Sequence, residues 1–420
     1  MMKNSMSQAG ERSFRGPAGD ISAGTTFLFA AAVAVIALNL YASQSLGADI
    51  GRSFGVPATL AGLVTTACLL GYAIGLFFVV PLTDLIDNKY LLKMALFFDV
   101  LALVLMCVSM NFTFMVIVSF VSGVTTSATQ LLVPMAGLLS SEQRRGRVVG
   151  NVVSGLMLGF LLSRPLASIA TDFAGWRSFY ALLACLVACV VVVIVPKIPA
   201  RSVSRDERYF RLIGSVWMLL VQEKQLRRRA LYQALCMVAF GMFWTSIALR
   251  LAQSPFNLGK IGIAMVTMSG VAGVFVAPMA GRLGDRGLTT IGTIVSHLLI
   301  IFSMLLAAAG GWLVPRLAIQ HGVPVGLGLL VLSALVLDAG VIGDQTLGRR
   351  VINLLRPEIR GRVNGAFVGV FMVGGAIGSA ISGWAWVEYG WLGVCVLAAL
   401  FGLLALLAFV GELVRERPAH

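Results

Sequence analysis

Four ionisable side chains, Asp99, Arg164, Asp338 and Asp344, stand inside stretches that are otherwise almost wholly apolar. Within a bilayer each would cost roughly 2.5–3.5 kcal/mol on insertion scales, so each asks for a partner or a wet cavity. A carboxyl group so placed can exchange protons, and a guanidinium can attract an anionic group or hold a neighbouring proton site charged. The plainer alternatives are an Arg164 that snorkels to the headgroups and an Asp338 that serves as interhelical glue. Asp338 and Gln345 lie two helical turns apart and share a face. Asp344 falls roughly 120° off that face and reads as an inner-gate or interhelical residue. Asn39 and Tyr41, with Trp244, Thr245 and Ser246, add amides, hydroxyls and aromatic faces, for which core packing is the competing reading.

Other chemistries are not expected. His297, His321 and His420 are scattered, and Cys68, Cys107, Cys185, Cys189, Cys236 and Cys395 sit in apolar runs, with no Cys or His at ligand spacing. No metal, cofactor or disulfide framework is implied. The glycines Gly369, Gly374, Gly375 and Gly378 make a packing surface, because no Lys-Ser/Thr follows them as in a phosphate loop. With no Ser-His-Asp set and no nucleotide motif, the chain is not expected to be an enzyme.

What positions these residues follows from composition. The chain has 420 residues, of which 58% are hydrophobic and only 12% charged. At about 20 apolar residues per crossing, that is enough for on the order of twelve membrane helices and little else. A formal charge of +14 would suit a nucleic-acid binder, but a mean hydropathy of +0.92 leaves no soluble surface for a phosphate groove. Nucleic acid is therefore excluded as a partner, and the lipid bilayer takes its place.

Apolar runs fall near 25–46, 57–80, 91–109, 112–139, 148–171, 177–195, 230–251, 260–280, 289–311, 323–347, 363–384 and 391–412. The first run is expected to be a retained span, since no cleavage site followed by a soluble domain comes after it. Most basic residues, among them Lys89, Arg144, Arg286, Arg350 and Arg415, fall on the side of the N-terminal tail, against Arg52, Arg177, Arg250, Lys260 and Arg316 opposite. The positive-inside rule then puts both termini in the cytoplasm of a bacterial-type inner membrane. The polar break from Lys197 to Arg229 mixes Arg205, Asp206, Glu207, Arg208 and Arg211 with Phe210, Val216, Trp217 and Leu220, as an amphipathic helix on the membrane surface would.

That break divides a repeat. Arg145-Gly146-Arg147-Val148 matches Arg360-Gly361-Arg362-Val363 at an offset of 215 residues, and the same offset carries Gly175-Trp176 onto Gly390-Trp391 and Gln130 onto Gln345. Leu82-x-Asp84 pairs with Leu283-x-Asp285 at an offset of 201. The organisation expected is a tail (1–24), a six-helix bundle (25–195), a cytoplasmic linker (196–229), a second six-helix bundle (230–412) and a tail (413–420).

Two such halves resemble the major facilitator superfamily of secondary transporters over essentially the whole chain. Gly281-Arg282-Leu283-Gly284-Asp285-Arg286-Gly287 follows that family's GxLxDRxGR[KR] loop signature, while the copy after span 2 keeps Leu82, Asp84 and Lys89. Asn39-x-Tyr41, Gly71-Tyr72-Ala73-x-Gly75-Leu76, Phe243-Trp244-Thr245-Ser246 and Asp338-x-Gly340 are similar to the sugar-efflux and multidrug-efflux branch of drug:proton antiporters. The chain departs from that branch in span 5, where Arg164-Pro165 stands for Gly-Pro and Ser168-Ile169 for paired glycines, and in span 1, which has no acidic residue.

The resemblance implies an all-α membrane protein of twelve transmembrane helices in two pseudo-symmetric six-helix bundles, expected as a monomer. Spans 1, 4, 7 and 10 would line a central cavity, making Asn39, Tyr41, Gln130, Arg164, Trp244 and Gln345 candidates for contact with a small-molecule substrate and Asp338 the candidate for proton coupling. Asp84, Arg145, Arg147, Asp285, Arg286, Arg360 and Arg362 would form a cytoplasmic gate, whose charges pair best when the halves close inside. The implied activity is export of a small amphipathic or polar solute by alternating access in exchange for protons. A facilitator or symporter of an organic anion is the alternative, and a non-transporting membrane sensor or lipid-handling protein a third.

Overall fold

In a bilayer core no water satisfies backbone N–H and C=O groups, so a chain this apolar must close its hydrogen bonds within helices or a sealed barrel. The computed structural model describes residues 21–198, 209–313, 322–355 and 360–416, and its regular structure is helical throughout, with no strand among the described residues. His321, His420, Arg316 and the charged run Arg205 to Arg208 lie outside the described residues, as do the side chains of Asp84 and Arg360.

Among the described residues, eleven apolar helical stretches are long enough to cross a membrane. Spans 1 to 6 are Ala23–Phe54, Leu63–Thr83, Asn88–Cys107, Phe112–Leu138, Gln143–Ala174 and Trp176–Lys197. Spans 7 to 10 are Lys224–Ala252, Lys260–Asp285, Thr289–Leu313 and Val323–Leu355. The last stretch, Gly361–Arg415, is broken at Gly390 (φ 63°, ψ −159°) into spans 11 and 12, giving twelve crossings. Several helices outrun their apolar segments. Span 7 begins at Lys224 rather than near 230, and span 10 runs to Leu355 rather than 347, because helical hydrogen bonding continues past the hydrocarbon edge into polar residues that hydropathy does not count. Exposed Phe97, Phe275, Leu305 and Leu407 form part of the apolar exterior.

The sequence repeat has a geometric counterpart. Gly175 and Gly390 both take positive φ (78° and 63°), a backbone region open to glycine, and so turn span 5 into 6 and span 11 into 12. The tryptophan after each glycine anchors its turn: Trp176 Nε1 donates to Ser53 Oγ at 2.9 Å and Trp391 Nε1 to the Ala307 carbonyl at 2.8 Å. Gly159 and Gly374, also 215 residues apart, each lie against a carbonyl of a facing span, Ala34 in span 1 and Ala234 in span 7, where a Cβ would collide with backbone.

Buried apolar side chains form two clusters. One is drawn from Phe29 to Ile198, and the other from Val216 to Ala405 together with Leu40, Tyr41, Cys68, Leu69, Tyr72, Ala73 and Leu76 of the first half. The halves meet along span 2 against span 11, span 5 against span 8 and span 1 against span 7. Between them, the helix Tyr209–Gln222 buries Val216 and Leu219 and leaves Trp217, Met218 and Val221 exposed, the pattern of a helix lying on a membrane surface.

Candidate functional site

Where spans 1, 5, 7, 8, 10 and 11 converge, a cavity of about 70 Å³ is lined by Tyr41, Met157, Phe160, Leu161, Arg164, Met237, Phe240, Gly270, Asp338, Val341, Ile342, Gln345, Phe371 and Met372. Irregular backbone borders it. Span 8 passes through a 3-10 turn, Met268–Val271, which holds Gly270 so close that a Cβ there would stand 2.9 Å from Asp338 Oδ2. Tightened turns inside a helix often mark hinges.

Arg164 is 3% exposed and points inward, so it does not snorkel. Its guanidinium lies 4.1 Å from the Trp244 ring centroid, 4.9 Å from Tyr41 and 5.2 Å from Phe240. Arg164 Nε donates to Gln44 Oε1 at 2.8 Å, while Nη2 is buried without a hydrogen-bond partner. Trp244 Nε1 donates to Asp338 Oδ1 at 3.0 Å. Cation and carboxylate are thus joined through one indole, with no direct ion pair between them among the described residues. Tyr41 packs edge-on to Phe160 and Phe240, and its hydroxyl reaches Met372 Sδ at 3.9 Å. The wall is therefore aromatic and thioether-rich, with one cation, one carboxyl group and the Gln345 amide.

Of the residues singled out from sequence, Tyr41, Arg164, Asp338 and Gln345 line the cavity and Trp244 stands behind it. Asn39 does not reach it. Two positions from Tyr41, it turns about 200° away around the helix and donates to Ser122 Oγ at 2.7 Å and Thr126 Oγ1 at 3.3 Å inside the first half. Asp99 accepts from Thr125 Oγ1 at 2.7 Å in the same network. Gln130 Nε2 donates to Tyr72 Oη at 2.9 Å rather than lining the cavity. Gln44, Phe160, Phe240 and Met372 were missed; Gln44 sits one turn from Tyr41, so the i, i+3 rule could have found it. Gln44 also lines a smaller void of about 20 Å³ toward the arginine-poor end, with Ser43, Thr245 and Ser382.

At the arginine-rich end, Arg350 Nε meets Asp285 Oδ1 at 3.1 Å within the second half, its stem passing Gly284, where a Cβ would stand 2.6 Å from Arg350 Cδ. Arg145 Nε donates to the Gly137 carbonyl at 3.2 Å within the first half, and Arg147 and Arg286 are exposed. At the opposite end the halves are tied together: Lys260 Nζ pairs with Asp49, and the Lys260 carbonyl accepts from Ser168 Oγ at 2.8 Å.

Among the described residues, twelve apolar crossings surround a mostly apolar central cavity holding one cation, one carboxyl group and one amide, the architecture of a multi-pass membrane transporter. Residues 23–347 match the profile of the Major Facilitator Superfamily, and the chain belongs to that family. It is 32% identical over 404 residues to "Putative uncharacterized transporter YgaY" of Escherichia coli (strain K12), covering 96% of this chain and 99% of that protein. A "Probable sugar efflux transporter" of Pasteurella multocida (strain Pm70) is 21% identical over 394 residues, covering 90% and 88% of the two chains. Among solved structures, the nucleoside transporter NupG shares the fold with a TM-score of 0.71 at 16% identity, covering 93% of this chain and 99% of its own.

Proposed function

We propose that the chain is a secondary active transporter that exports a small amphipathic solute from the cytoplasm, in exchange for protons, by alternating access of its two six-helix bundles (25–195 and 230–412). It works as a monomer in a bacterial-type inner membrane with both termini cytoplasmic. The observation that carries this function is the buried, unpartnered Nη2 of Arg164 at the wall of a cavity that also holds Asp338. At an effective dielectric of about 20, a unit charge roughly 4 Å from a guanidinium gains about 4 kcal/mol, against about 1 in water. An acidic or strongly hydrogen-bond-accepting group on the solute therefore docks at Arg164, and its apolar body packs on Tyr41, Phe160, Phe240 and Met372. Gln345 supplies an amide to its polar edge, and Asp338 carries the exchanged proton.

The clasp of Asp49 and Lys260, with Gly62 packed against the Ser379 carbonyl, fits a state closed at the arginine-poor end. In the opposite state the charges of Asp84, Arg145, Arg147, Asp285, Arg286, Arg360 and Arg362 would pair across the halves. A second mechanism, uncoupled passage of an organic anion, is favoured by the absence of a direct partner charge on Arg164. A thermal-shift panel of small organic acids, zwitterions and neutral amphiphiles, run on the wild type and Arg164→Ala, tests the cavity. Acidic compounds should stabilise only the wild type. Equal stabilisation of both proteins by the acidic compounds would overturn the assignment of Arg164, and flux that persists after the pH gradient is collapsed would select the uncoupled mechanism.

A further inference from the structure

Away from the Arg164 cavity, spans 7, 9 and 10 bring Cys236, His297 and Asp344 together inside the second half, all three buried, with Sγ, a ring nitrogen and a carboxylate oxygen within 4.8 Å of one another. His297 Nε2 stands 3.4 Å from Asp344 Oδ1, yet no hydrogen bond joins them: both ring nitrogens and that oxygen lack partners. A fully buried imidazole ordinarily finds a partner for its N–H. Its ring is held in place instead by edge contacts with Tyr232 at 6.4 Å and Phe409 at 6.0 Å. The three donor atoms lie close together, and the His297–Asp344 contact at 3.4 Å is not a hydrogen bond.

The spacing suits an ion between them. Bonds of about 2.0–2.1 Å to N and O and 2.3 Å to S, opened at tetrahedral angles, put ligand atoms roughly 3.3–3.6 Å apart. The imidazole-to-carboxylate distance already has that value, and the thiol needs only a small side-chain movement. We propose that Cys236, His297 and Asp344 form a binding site for one divalent transition-metal ion of the zinc class. The donor set selects the class, since thiolate and imidazole suit zinc and its neighbours, whereas calcium and magnesium take all-oxygen shells. Charge selects it too. A thiolate and a carboxylate together neutralise a dication, so the occupied site carries no net charge into the bilayer, where a lone carboxylate is costly. Gln233, one turn before Cys236, has a buried, unpartnered Oε1 and is the candidate for the fourth position. The ion would tie span 10, which carries Asp338, to spans 7 and 9.

The test uses the purified full chain without an affinity tag, stripped with chelator and reloaded with Zn²⁺ or Co²⁺. The site predicts one Zn²⁺ per chain by elemental analysis, and a Co²⁺ form with tetrahedral visible bands plus a thiolate-to-cobalt charge-transfer band. Cys236→Ser should abolish the charge-transfer band, and His297→Ala and Asp344→Asn should each weaken Zn²⁺ at least tenfold. Chelator should lower the melting temperature of the wild type but leave that of Cys236→Ser unchanged, which separates loss of the ion from loss of the fold. Substoichiometric metal in the reloaded wild type, or a charge-transfer band retained in Cys236→Ser, would overturn the site.

Discussion

Trp244 stands between Arg164 and Asp338, its ring face 4.1 Å from the guanidinium and its N–H donating to the carboxylate at 3.0 Å. One side chain thus partly compensates two buried ionisable groups, through a cation–π contact worth about 2 kcal/mol or more when desolvated and a hydrogen bond to a charged group worth about 1.5–3 kcal/mol. Trp244→Phe keeps a ring under Arg164 and removes the donor; Trp244→Ala removes both and leaves a cavity that costs about 3–5 kcal/mol. Thermal unfolding in detergent should rank the wild type above Trp244→Phe and that above Trp244→Ala. Equal melting temperatures for the two variants would deny the ring its role.

Arg164→Lys keeps the charge but loses the Nε bond to Gln44 and the planar stacking on Trp244, because an ammonium is a compact, strongly hydrated point charge. Affinity for an acidic ligand should fall on the order of tenfold in Arg164→Lys, about 1.4 kcal/mol, and further in Arg164→Ala, as measured by calorimetry. Unchanged affinity in Arg164→Ala would remove the guanidinium from ligand binding.

The ion pair of Asp49 and Lys260, whose side chains are 14% and 22% exposed, joins the halves at the arginine-poor end, and such a largely covered pair contributes about 1 kcal/mol, the upper end of the range for surface pairs. Asp49→Asn should shift the two-state balance up to about fivefold toward opening there, seen as increased spacing between probes on spans 1 and 8. At the arginine-rich end, Asp285→Asn should perturb probe spacing between the loops after spans 4 and 10 more than Asp84→Asn, since the first copy of the loop signature lacks its Arg and both Gly. Identical distance distributions in all three variants and the wild type would remove these charges from gating.

Gly374 and Gly378 let span 11 touch the Ala234 and Val238 carbonyls of span 7, leaving no room for a Cβ. Gly374→Val should destabilise by about 1–3 kcal/mol through overpacking, whereas Gly411→Ala, with open space around it, should stay within about 0.5 kcal/mol. Comparable melting temperatures for the two variants would contradict the close approach.

The twelve crossings were legible because every crossing needs an apolar run of fixed length. The equivalence of the turns at Gly175-Trp176 and Gly390-Trp391 was legible as a repeat, but their positive φ, like that of Gly55 and Gly287, was not. The cavity was half legible. Asp338 and Gln345 announced themselves by charge and by a two-turn spacing, but Asn39-x-Tyr41 reads as one polar string when a helix sends its two members to different faces. Cys236, His297 and Asp344 have no spacing to betray them, since only the packing of three separate spans brings them together. The pairing of Asp49 with Lys260 is not legible in the sequence, because nothing local shows that spans 1 and 8 meet.

The most direct measurement reconstitutes the wild type and Asp338→Asn in liposomes with a pH-sensitive dye inside, and follows proton movement on adding the compound that most stabilises the wild type. We expect solute-dependent proton flux and gradient-driven accumulation in the wild type, and loss of both in Asp338→Asn with binding and gradient-free exchange retained. Undiminished gradient-driven accumulation in Asp338→Asn would contradict proton coupling at this cavity.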